Sequence, residues 1–224
     1  MICAQRASRE FEEAMPDSPH ISVLADEVME LLNPVSGGLY CDGTLGAGGH
    51  TRRILAESSP DGRVIGVDRD EVALATAKAR LGEDASRVQF VHGSFEKVDE
   101  HLAALGIDKV DGLLLDLGVS SMQLDTSGRG FSFNQEGPVD MRMDTSQGET
   151  ALDLIHRLDE RELANIIRDY GEERFSKRIA ERLKRDAKAG VLTSTLVLAD
   201  AVSACIPAKL KHKSRIHPAT RTFQ

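Results

Sequence analysis

Residues 40–50 read Tyr-Cys-Asp-Gly-Thr-Leu-Gly-Ala-Gly-Gly-His, a glycine-rich segment that predicts an α/β fold. A short strand runs into a glycine-rich turn, and a helix is predicted to start directly after it. Doubly wound α/β proteins build nucleotide pockets from such turns, at the carboxyl ends of parallel strands. Glycine suits the turn because a side chain would obstruct the ligand or the backbone angles. The turn alone leaves open the alternative of an ordinary glycine-rich turn without a ligand.

The acid at Asp42 narrows the class of ligand. Its carboxylate directly precedes the first glycine, where it would repel the pyrophosphate of a dinucleotide and attract a cation. S-adenosylmethionine carries an ammonium and a sulfonium group and no phosphate. The turn also departs from the dinucleotide pattern Gly-x-Gly-x-x-Gly, because its glycines are Gly43, Gly46, Gly48 and Gly49. We therefore expect S-adenosylmethionine and disfavour an NAD-dependent dehydrogenase.

The composition indicates a soluble globular protein with a substantial core. The chain has 224 residues, of which 41% are hydrophobic, and its formal net charge is -8. This length accommodates one large domain or two small ones. Cys3, Cys41 and Cys205 lack metal-ligand spacing, so we expect reduced thiols and no metal. The chain lacks an apolar run of membrane-spanning length and a signal peptide's apolar middle, which predicts the cytoplasm.

Strands alternate with amphipathic helices in the first half of the chain. The predicted strands are 39–42, 63–67, 88–91 and 110–116, with helices at 24–32, 49–57, 70–81 and 96–105. Such alternation implies a parallel sheet built by crossover connections. The last strand is nearly all apolar beyond Gly112, which predicts burial on both faces. A long loop should follow to about residue 148, and then helices at 150–158, 160–169, 172–187 and 193–205.

Nine short motifs follow one another in a fixed order. They are His20–Leu24, Asp42–His50, Asp68–Asp70, Leu115–Ser121, Gln123–Asp125, Arg129–Phe133, Gly137–Asp144, Tyr170–Arg174 and His217–Gln224. Each motif alone is weak, but their joint order makes a chance match very unlikely. From residue 20 onward the chain resembles the bacterial small-subunit rRNA (cytosine-N4)-methyltransferase family, known as RsmH or MraW.

The resemblance implies a Rossmann-like class I methyltransferase sheet, here incomplete with about four strands, and an inserted all-helical domain. The predicted divisions are a flexible N-terminal extension (1–19), an S-adenosylmethionine-binding domain (20–125), a loop and helical substrate-recognition domain (126–216) and a return to the core (217–224). The implied reaction is methyl transfer from S-adenosylmethionine to a cytidine N4 amine in 16S rRNA near the decoding centre. The implied partner is rRNA within a 30S particle.

The resemblance also implies cofactor contacts at Gly48, Gly49, His50, Asp68, Phe95, Asp116 and Gln123, to which our own argument adds Asp42. Asp68 ends the second strand, where an acid can accept hydrogen bonds from both ribose hydroxyls. The alternative is a helix N-cap, which Asp70 could equally supply. Phe95 could cover the adenine or simply fill the core. His50 could be a structural histidine.

The predicted catalytic residues are Asp116, Ser120 and Ser121, which would accept protons from the substrate amine or polarise it. Many amino-methyltransferases have an acid or asparagine followed by two prolines here, whereas this chain has Asp-Leu-Gly-Val-Ser-Ser. The alternative is that Asp116 contacts only the cofactor and main-chain carbonyls polarise the amine.

Candidate RNA contacts are cationic. Residues 201–224 contain no acid, so this tail is basic, and Arg142 lies in a separate motif. We expect these side chains to bind phosphate, although a charge run can also be a solvated face. The predicted RNA-binding residues are Arg142, Lys209, Lys211, Lys213, Arg215 and Arg221.

Family members usually continue past Gln224 with further strands of the sheet. We therefore expect marginal stability, or self-association through the exposed sheet edge. An alternative function is a truncated, non-catalytic remnant that binds the cofactor or RNA.

Overall fold

The computed structural model describes residues 22–211 and 215–224. The chain divides after Leu117 into an α/β unit and a helical unit, Gly118–Gln224. The predicted extension 1–19 and the start of the first motif, at His20, lie outside the described residues. The boundary after Leu117 precedes the one placed at residue 125 from sequence, and residues 217–224 belong to the helical unit.

The α/β unit contains the predicted four-stranded parallel sheet. Its elements are α1 (Ala25–Leu32), β1 (Leu39–Asp42), α2 (Gly49–Glu57), β2 (Arg63–Asp68), α3 (Glu71–Leu81), β3 (Val88–His92), α4 (Val98–Ala104) and β4 (Gly112–Leu114). Short 3₁₀ turns at Gly82–Arg87 and Phe95–Lys97 precede β3 and α4. The strand order is β3-β2-β1-β4, and all pairs are parallel. The predicted Rossmann-like α/β class is confirmed.

The strand order reverses direction at β1. From β1 the chain first builds β2 and β3 on one side, and β4 then pairs with the other side of β1. Asp42, the last residue of β1, is in register with Leu114, the last residue of β4. Ligands of open α/β sheets bind at such a switch point, beside the carboxyl ends of the strands. The topology therefore places the glycine turn where a pocket is expected.

Side chains of the central strands alternate between two packed layers. Tyr40 and Val64 pack with Ile54 and Leu55 of α2, all of them 0–1% exposed. The next residues along the two strands, Cys41 and Ile65, belong to a second cluster with side chains of α4. Because strand side chains alternate, Asp42 lies on the same face as Tyr40 and therefore toward α2.

The prediction that the last strand is buried on both faces was wrong. Leu113 in β4 is 46% exposed, and Leu115 and Leu117 just beyond it are 40% and 65% exposed. The reason is positional, since β4 is paired with β1 alone and forms an edge of the sheet in the described structure. An apolar sequence matches a central strand, but neighbours decide its burial.

The second unit consists of helices that pack around a hydrophobic core of their own. Its helices are α5 (Ser121–Asp125), α6 (Ala151–Arg157), α7 (Glu160–Asp169), α8 (Ser176–Lys188), α9 (Thr195–Cys205), α10 (Ala208–Lys211) and α11 (Thr220–Phe223). Ile179, Leu183 and Val202 are among its most buried residues, and Ala219 from the last segment joins the same cluster. Phe133 stacks on His217 at 4.5 Å between ring centroids and meets Phe223 edge-on at 5.1 Å. Within the described ranges, no helix is long and apolar enough to cross a membrane.

Candidate cofactor site

The turn after β1 needs its glycines for two different reasons. Gly46 and Gly48 have φ angles of 53° and 80°, in the left-handed region that other residues rarely adopt. At Gly43 the limit is space, because a Cβ atom would lie 2.5 Å from the Leu115 side chain and 3.3 Å from Phe95 Cβ. Gly48 is also the N-cap residue of α2. The turn therefore brings main chain close to neighbouring side chains where a pocket is expected.

Asp42 is a buried carboxylate with two hydrogen bonds. It is 1% exposed, and it accepts from the Thr51 hydroxyl at 2.7 Å and from the Thr44 backbone N–H at 3.2 Å. Its pKa is raised to about 6, mainly by burial and to a lesser extent by the charges of Asp68 and Asp116, while the two hydrogen bonds act to lower it. The side chain thus ties β1 to α2 while adding negative charge beneath the turn.

The sequence left open which of Asp68 and Asp70 is a helix N-cap, and the two residues have different hydrogen-bond partners in the structure. Asp70 is the N-cap of α3, because its carboxylate accepts from Val72 N–H at 3.0 Å. Asp68 instead accepts from the backbone N–H groups of Gly46 at 2.8 Å and Asp70 at 2.9 Å, one with each oxygen. A carboxylate has about four acceptor positions, so Asp68 retains capacity for two further donors. Its pKa is raised, mainly by burial.

His50 and Asp116 face each other across the turn. His50 Nε2 lies 3.7 Å from Asp116 Oδ2, and the histidine is 7% exposed whereas the Asp116 side chain is 49% exposed. His50 Nδ1 is buried and has no hydrogen-bond partner within the part of the chain that the structure describes. Burial lowers the pKa of His50 despite the nearby carboxylate, which favours the neutral ring. The Thr44 hydroxyl accepts from Asp116 N–H at 2.7 Å and fixes the backbone there.

Phe95 stands at the start of the 3₁₀ turn after β3. Its ring is partly buried, and the Arg69 guanidinium lies 5.9 Å from the ring centroid. Phe95 is not a member of the hydrophobic clusters that the described residues form. Its Cβ atom faces Gly43, so the ring is attached at the rim of the turn.

A protein-family model and named relatives both match most of this chain. The model of the MraW methylase family matches residues 17–224. The chain belongs to the MraW methylase family. A protein of Sorangium cellulosum named "Ribosomal RNA small subunit methyltransferase H" is 57% identical over 206 residues, which are 92% of this chain and 64% of that one. A protein of the same name from Trichlorobacter lovleyi is 53% identical over 210 residues, with 94% and 67% covered.

This member of the MraW methylase family spans about two thirds of the length of those relatives. Among solved structures, TrmN from Thermus thermophilus aligns with a TM-score of 0.39 and 24% identity, over 52% of this chain and 34% of that one.

Three predicted site residues of this MraW-family chain belong to the helical unit. Ser120 is the N-cap of α5 and forms a capping box with Gln123. The Ser120 hydroxyl accepts from Gln123 N–H at 3.3 Å, and Gln123 Oε1 accepts from Ser120 N–H at 3.0 Å. Gln123 is 6% exposed, and the Ser121 backbone begins the helix. These bonds fix the start of α5 and explain why the predicted long loop contains a helix.

The candidate RNA-binding cations differ in how they are held. Arg142 donates to both oxygens of Asp140 at 2.8 Å, so its charge is compensated by a neighbouring carboxylate. Arg221 donates to the Glu172 carbonyl at 3.2 Å. Lys209 and Arg215 are exposed and Lys211 is partly exposed, whereas Lys213 lies outside the described residues.

Sequence reasoning missed Thr44 and Thr51, which hold Asp42 and Asp116 in place. Thr44 carried a signal, because an N–H two residues after an aspartate commonly donates back to the carboxylate. Thr51 carried none, since its contact with Asp42 depends on the angle at which α2 leaves the turn.

Proposed function

We propose that this chain binds S-adenosylmethionine at the switch point between β1 and β4 and methylates the N4 amine of a cytidine in 16S rRNA. The observation that carries the proposal is the concentration of Asp42, Asp68 and Asp116 around one glycine turn. Three carboxylates favour a cationic ligand over a phosphate-bearing one. The name shared by the relatives supports small-subunit rRNA as the substrate. We also propose that the protein acts in the cytoplasm, that its rRNA substrate lies within a 30S particle, and that the target cytidine is near the decoding centre.

Residues in and around the glycine turn have separate roles in this proposal. Asp68 uses its remaining acceptor positions for the ribose hydroxyls, and Phe95 covers the adenine ring from the rim. The backbone at Gly48 and Gly49 lies against the ligand, because a glycine turn permits close approach. Asp42 acts from below the turn through its charge, since its own oxygens already accept from Thr44 and Thr51.

Transfer to the amine requires positioning and a proton acceptor. The lone pair of the cytosine amine is delocalised into the ring, so the amine is a weak nucleophile that must be held in line with the methyl group. Positioning supplies much of the rate when two bound reactants replace a bimolecular encounter. We assign proton acceptance to Asp116, and amine orientation to the segment that includes Ser120 and Ser121. Main-chain carbonyls of the same segment are the alternative acceptors.

The solvent exposure of Asp116 bears directly on its role in catalysis. Its side chain is 49% exposed, although a reacting carboxylate usually works in a site that excludes water. This observation favours a second candidate function, in which the chain binds the cofactor without transferring the methyl group.

Calorimetric titration with S-adenosylmethionine, followed by methyl transfer to 30S particles, separates the two candidates. Cofactor binding together with methyl transfer supports the methyltransferase, and cofactor binding without transfer supports the second candidate. If the chain shows neither binding nor transfer, both candidate functions are overturned. Asp116→Ala should bind the cofactor and lose transfer. An Asp116→Ala protein that methylates at the parent rate removes Asp116 from catalysis.

The target cytidine must be unstacked or already in a loop to reach such a pocket. We propose that the tail residues Lys209, Lys211, Lys213, Arg215 and Arg221, together with Arg142, bind the surrounding phosphates. Changing the three tail lysines to alanine should weaken RNA binding and flatten its salt dependence. An unchanged salt dependence would make the tail a solvated surface. Arg142 should contribute least, because Asp140 already compensates its charge.

A further inference from the structure

The exposed side of α8 carries a concentration of cations that the site above does not use. Residues 174–188 contain seven basic and two acidic side chains, although the whole chain has a net charge of -8. The buried side of the helix is formed by Ile179, Ala180, Leu183 and Ala187, which are 0–5% exposed. Apart from Lys184, whose ammonium donates to backbone carbonyls at the end of α6, the basic side chains lie away from the core and present their charge on the surface of the unit.

Three of these cations are arginines in one row, defined here as the arginine row: Arg178, Arg182 and Arg185. Their spacing of four and three residues places them within about 60° of arc on a helix. Arg178 and Arg185 are exposed, and Arg182 is partly exposed. The row runs along the helix on the side away from the core.

A buried carboxylate, Asp186, contacts two members of the arginine row. Asp186 is 7% exposed and accepts from Arg182 Nε at 2.5 Å, and Arg185 Nε lies 3.5 Å from its other oxygen. One carboxylate cannot neutralise three guanidinium groups, so the row keeps a net positive charge. The contact fixes the Arg182 side chain, which reduces the entropy lost when the row binds an anion.

The arginine row lies near the end of α9, the helix that precedes Lys209 and Lys211 in the chain. The Cys205 sulfur, at the end of α9, lies 3.5 Å from the Arg178 carbonyl oxygen. Burial raises the pKa of the Cys205 thiol, and the charges of Arg178, Arg182 and Arg185 oppose that rise, so all three act on one sulfur atom. Helix α10, which carries Lys209 and Lys211, begins three residues after Cys205. The row therefore lies near the end of α9, from which the chain continues to Lys209 and Lys211.

We propose that the arginine row of α8 binds RNA backbone phosphates, in addition to the phosphates proposed for Lys209 and Lys211. The guanidinium fork matches phosphate geometry, and arginine is preferred over lysine where that match matters. Contacts of this kind orient a nucleic acid without reading its sequence. The inference rests on the proposed rRNA substrate for the identity of the anion. An acidic protein segment is the competing ligand for the same charge.

The test compares two double variants of the full chain that remove equal charge. Arg178→Gln with Arg185→Gln weakens the row but keeps the bond between Arg182 and buried Asp186. Arg157→Gln with Arg161→Gln removes two charges from α6 and α7 and serves as the matched control. The probe is a short fluorescent single-stranded RNA, titrated between about 50 and 200 mM salt. Circular dichroism melting verifies that both variants fold.

The slope of log K against log salt is negative, and in the row variant it should become less negative by about 1 to 2, since each lost phosphate contact removes about one unit or slightly less. The control should leave the slope unchanged. Equal slopes for row variant and parent, an equal change in the control, or no RNA binding by the parent would overturn the proposal. It is also overturned if the row variant loses binding to poly-L-glutamate but keeps parent RNA affinity.

Titrating the same proteins with S-adenosylmethionine distinguishes this inference from the proposed function. If the parent binds the cofactor and methylates 30S particles but the row variant keeps the parent salt slope, only the arginine row is rejected. If the slope changes as expected and neither cofactor binding nor transfer occurs, the proposed function fails while the phosphate-binding surface stands.

Discussion

The Thr51 hydroxyl donates to Asp42 Oδ2 at 2.7 Å, and both side chains are at most 1% exposed. This bond joins the end of β1 to the first turn of α2 and partly compensates a carboxylate that is shielded from water. Thr51→Val keeps the shape of the side chain and removes the donor. We expect a loss of about 1–3 kcal/mol in the free energy of unfolding at pH 7, because a buried acceptor loses a partner. Urea unfolding measures it.

Thr51→Ser is the control for this prediction. It retains the donor and loses one methyl group, so it should lose less stability than Thr51→Val. If the valine variant is as stable as the parent at pH 7, the bond does not contribute to folding.

The raised pKa of Asp42 gives the stability of the protein a defined pH dependence. The pKa is about 6 in the folded state, against about 3.9 in an unfolded chain. The folded state therefore binds this proton more tightly. The stabilisation is complete below about pH 4 and is lost as the pH rises through about 6, by an amount on the order of 2–3 kcal/mol. Asp42→Asn does not titrate, so subtracting its pH profile of unfolding from the parent profile isolates the effect. A flat difference between pH 4 and 7 would contradict it.

The neighbouring acids Asp68 and Asp70 allow a matched pair of substitutions. Asp68→Ala should weaken S-adenosylmethionine binding by about 10- to 100-fold, because it removes a charged acceptor for the ribose and the bond to Gly46. Asp70→Ala removes the cap of α3 and should lower stability by about 1 kcal/mol with little change in cofactor affinity. Calorimetry measures the affinities and urea unfolding the stabilities. Equal affinity losses in the two variants would show that only the local fold matters.

Local signals were enough to predict most elements of the fold. The predicted strand 39–42 and the helices 49–57 and 160–169 have the same bounds in the structure, because glycine turns and capping residues mark their ends. The parallel order also followed from short strands alternating with helices. Burial of β4 did not follow, since it depends on which strands are neighbours in space.

The candidate site was only partly accessible from sequence for a similar reason. Asp42 and Asp68 could be chosen because each ends a strand next to the glycine turn. Which of Asp68 and Asp70 caps α3 could not be chosen, because both precede the helix with suitable chemistry. The hydrogen bond between Thr51 and Asp42, which are nine residues apart, depends on how α2 packs against the end of β1.

The exposed edge strand β4 predicts self-association. Leu113 is 46% exposed and Leu115 is 40% exposed beside the unpaired edge of the described sheet. Apolar side chains next to open backbone groups favour pairing with another chain. We expect the sedimentation coefficient of the parent chain to increase with protein concentration.

Charge at this edge should reverse the tendency. Leu113→Lys should shift the sedimentation coefficient toward the monomer value, because a lysine on an edge strand opposes edge-to-edge pairing. Val191→Lys, at a 48% exposed position of the helical unit, is the control and should sediment like the parent. A parent that stays monomeric at high concentration would exclude association through β4.

Lys184 holds the carboxyl end of α6 from the neighbouring helix α8. Its ammonium donates to three backbone carbonyls, those of Ile155 at 2.8 Å, His156 at 2.9 Å and Leu158 at 2.6 Å. A helix leaves its last carbonyls without internal partners, and a cation there also opposes the negative end of the dipole. Lys184→Met keeps the aliphatic stem and removes the three donors, so we expect a loss of about 2 kcal/mol in the free energy of unfolding. Lys188→Met, an exposed change on the same helix, should cost less than about 0.5 kcal/mol. Urea unfolding followed by far-UV circular dichroism compares the two, and equal losses would show that capping of α6 by Lys184 does not contribute to stability.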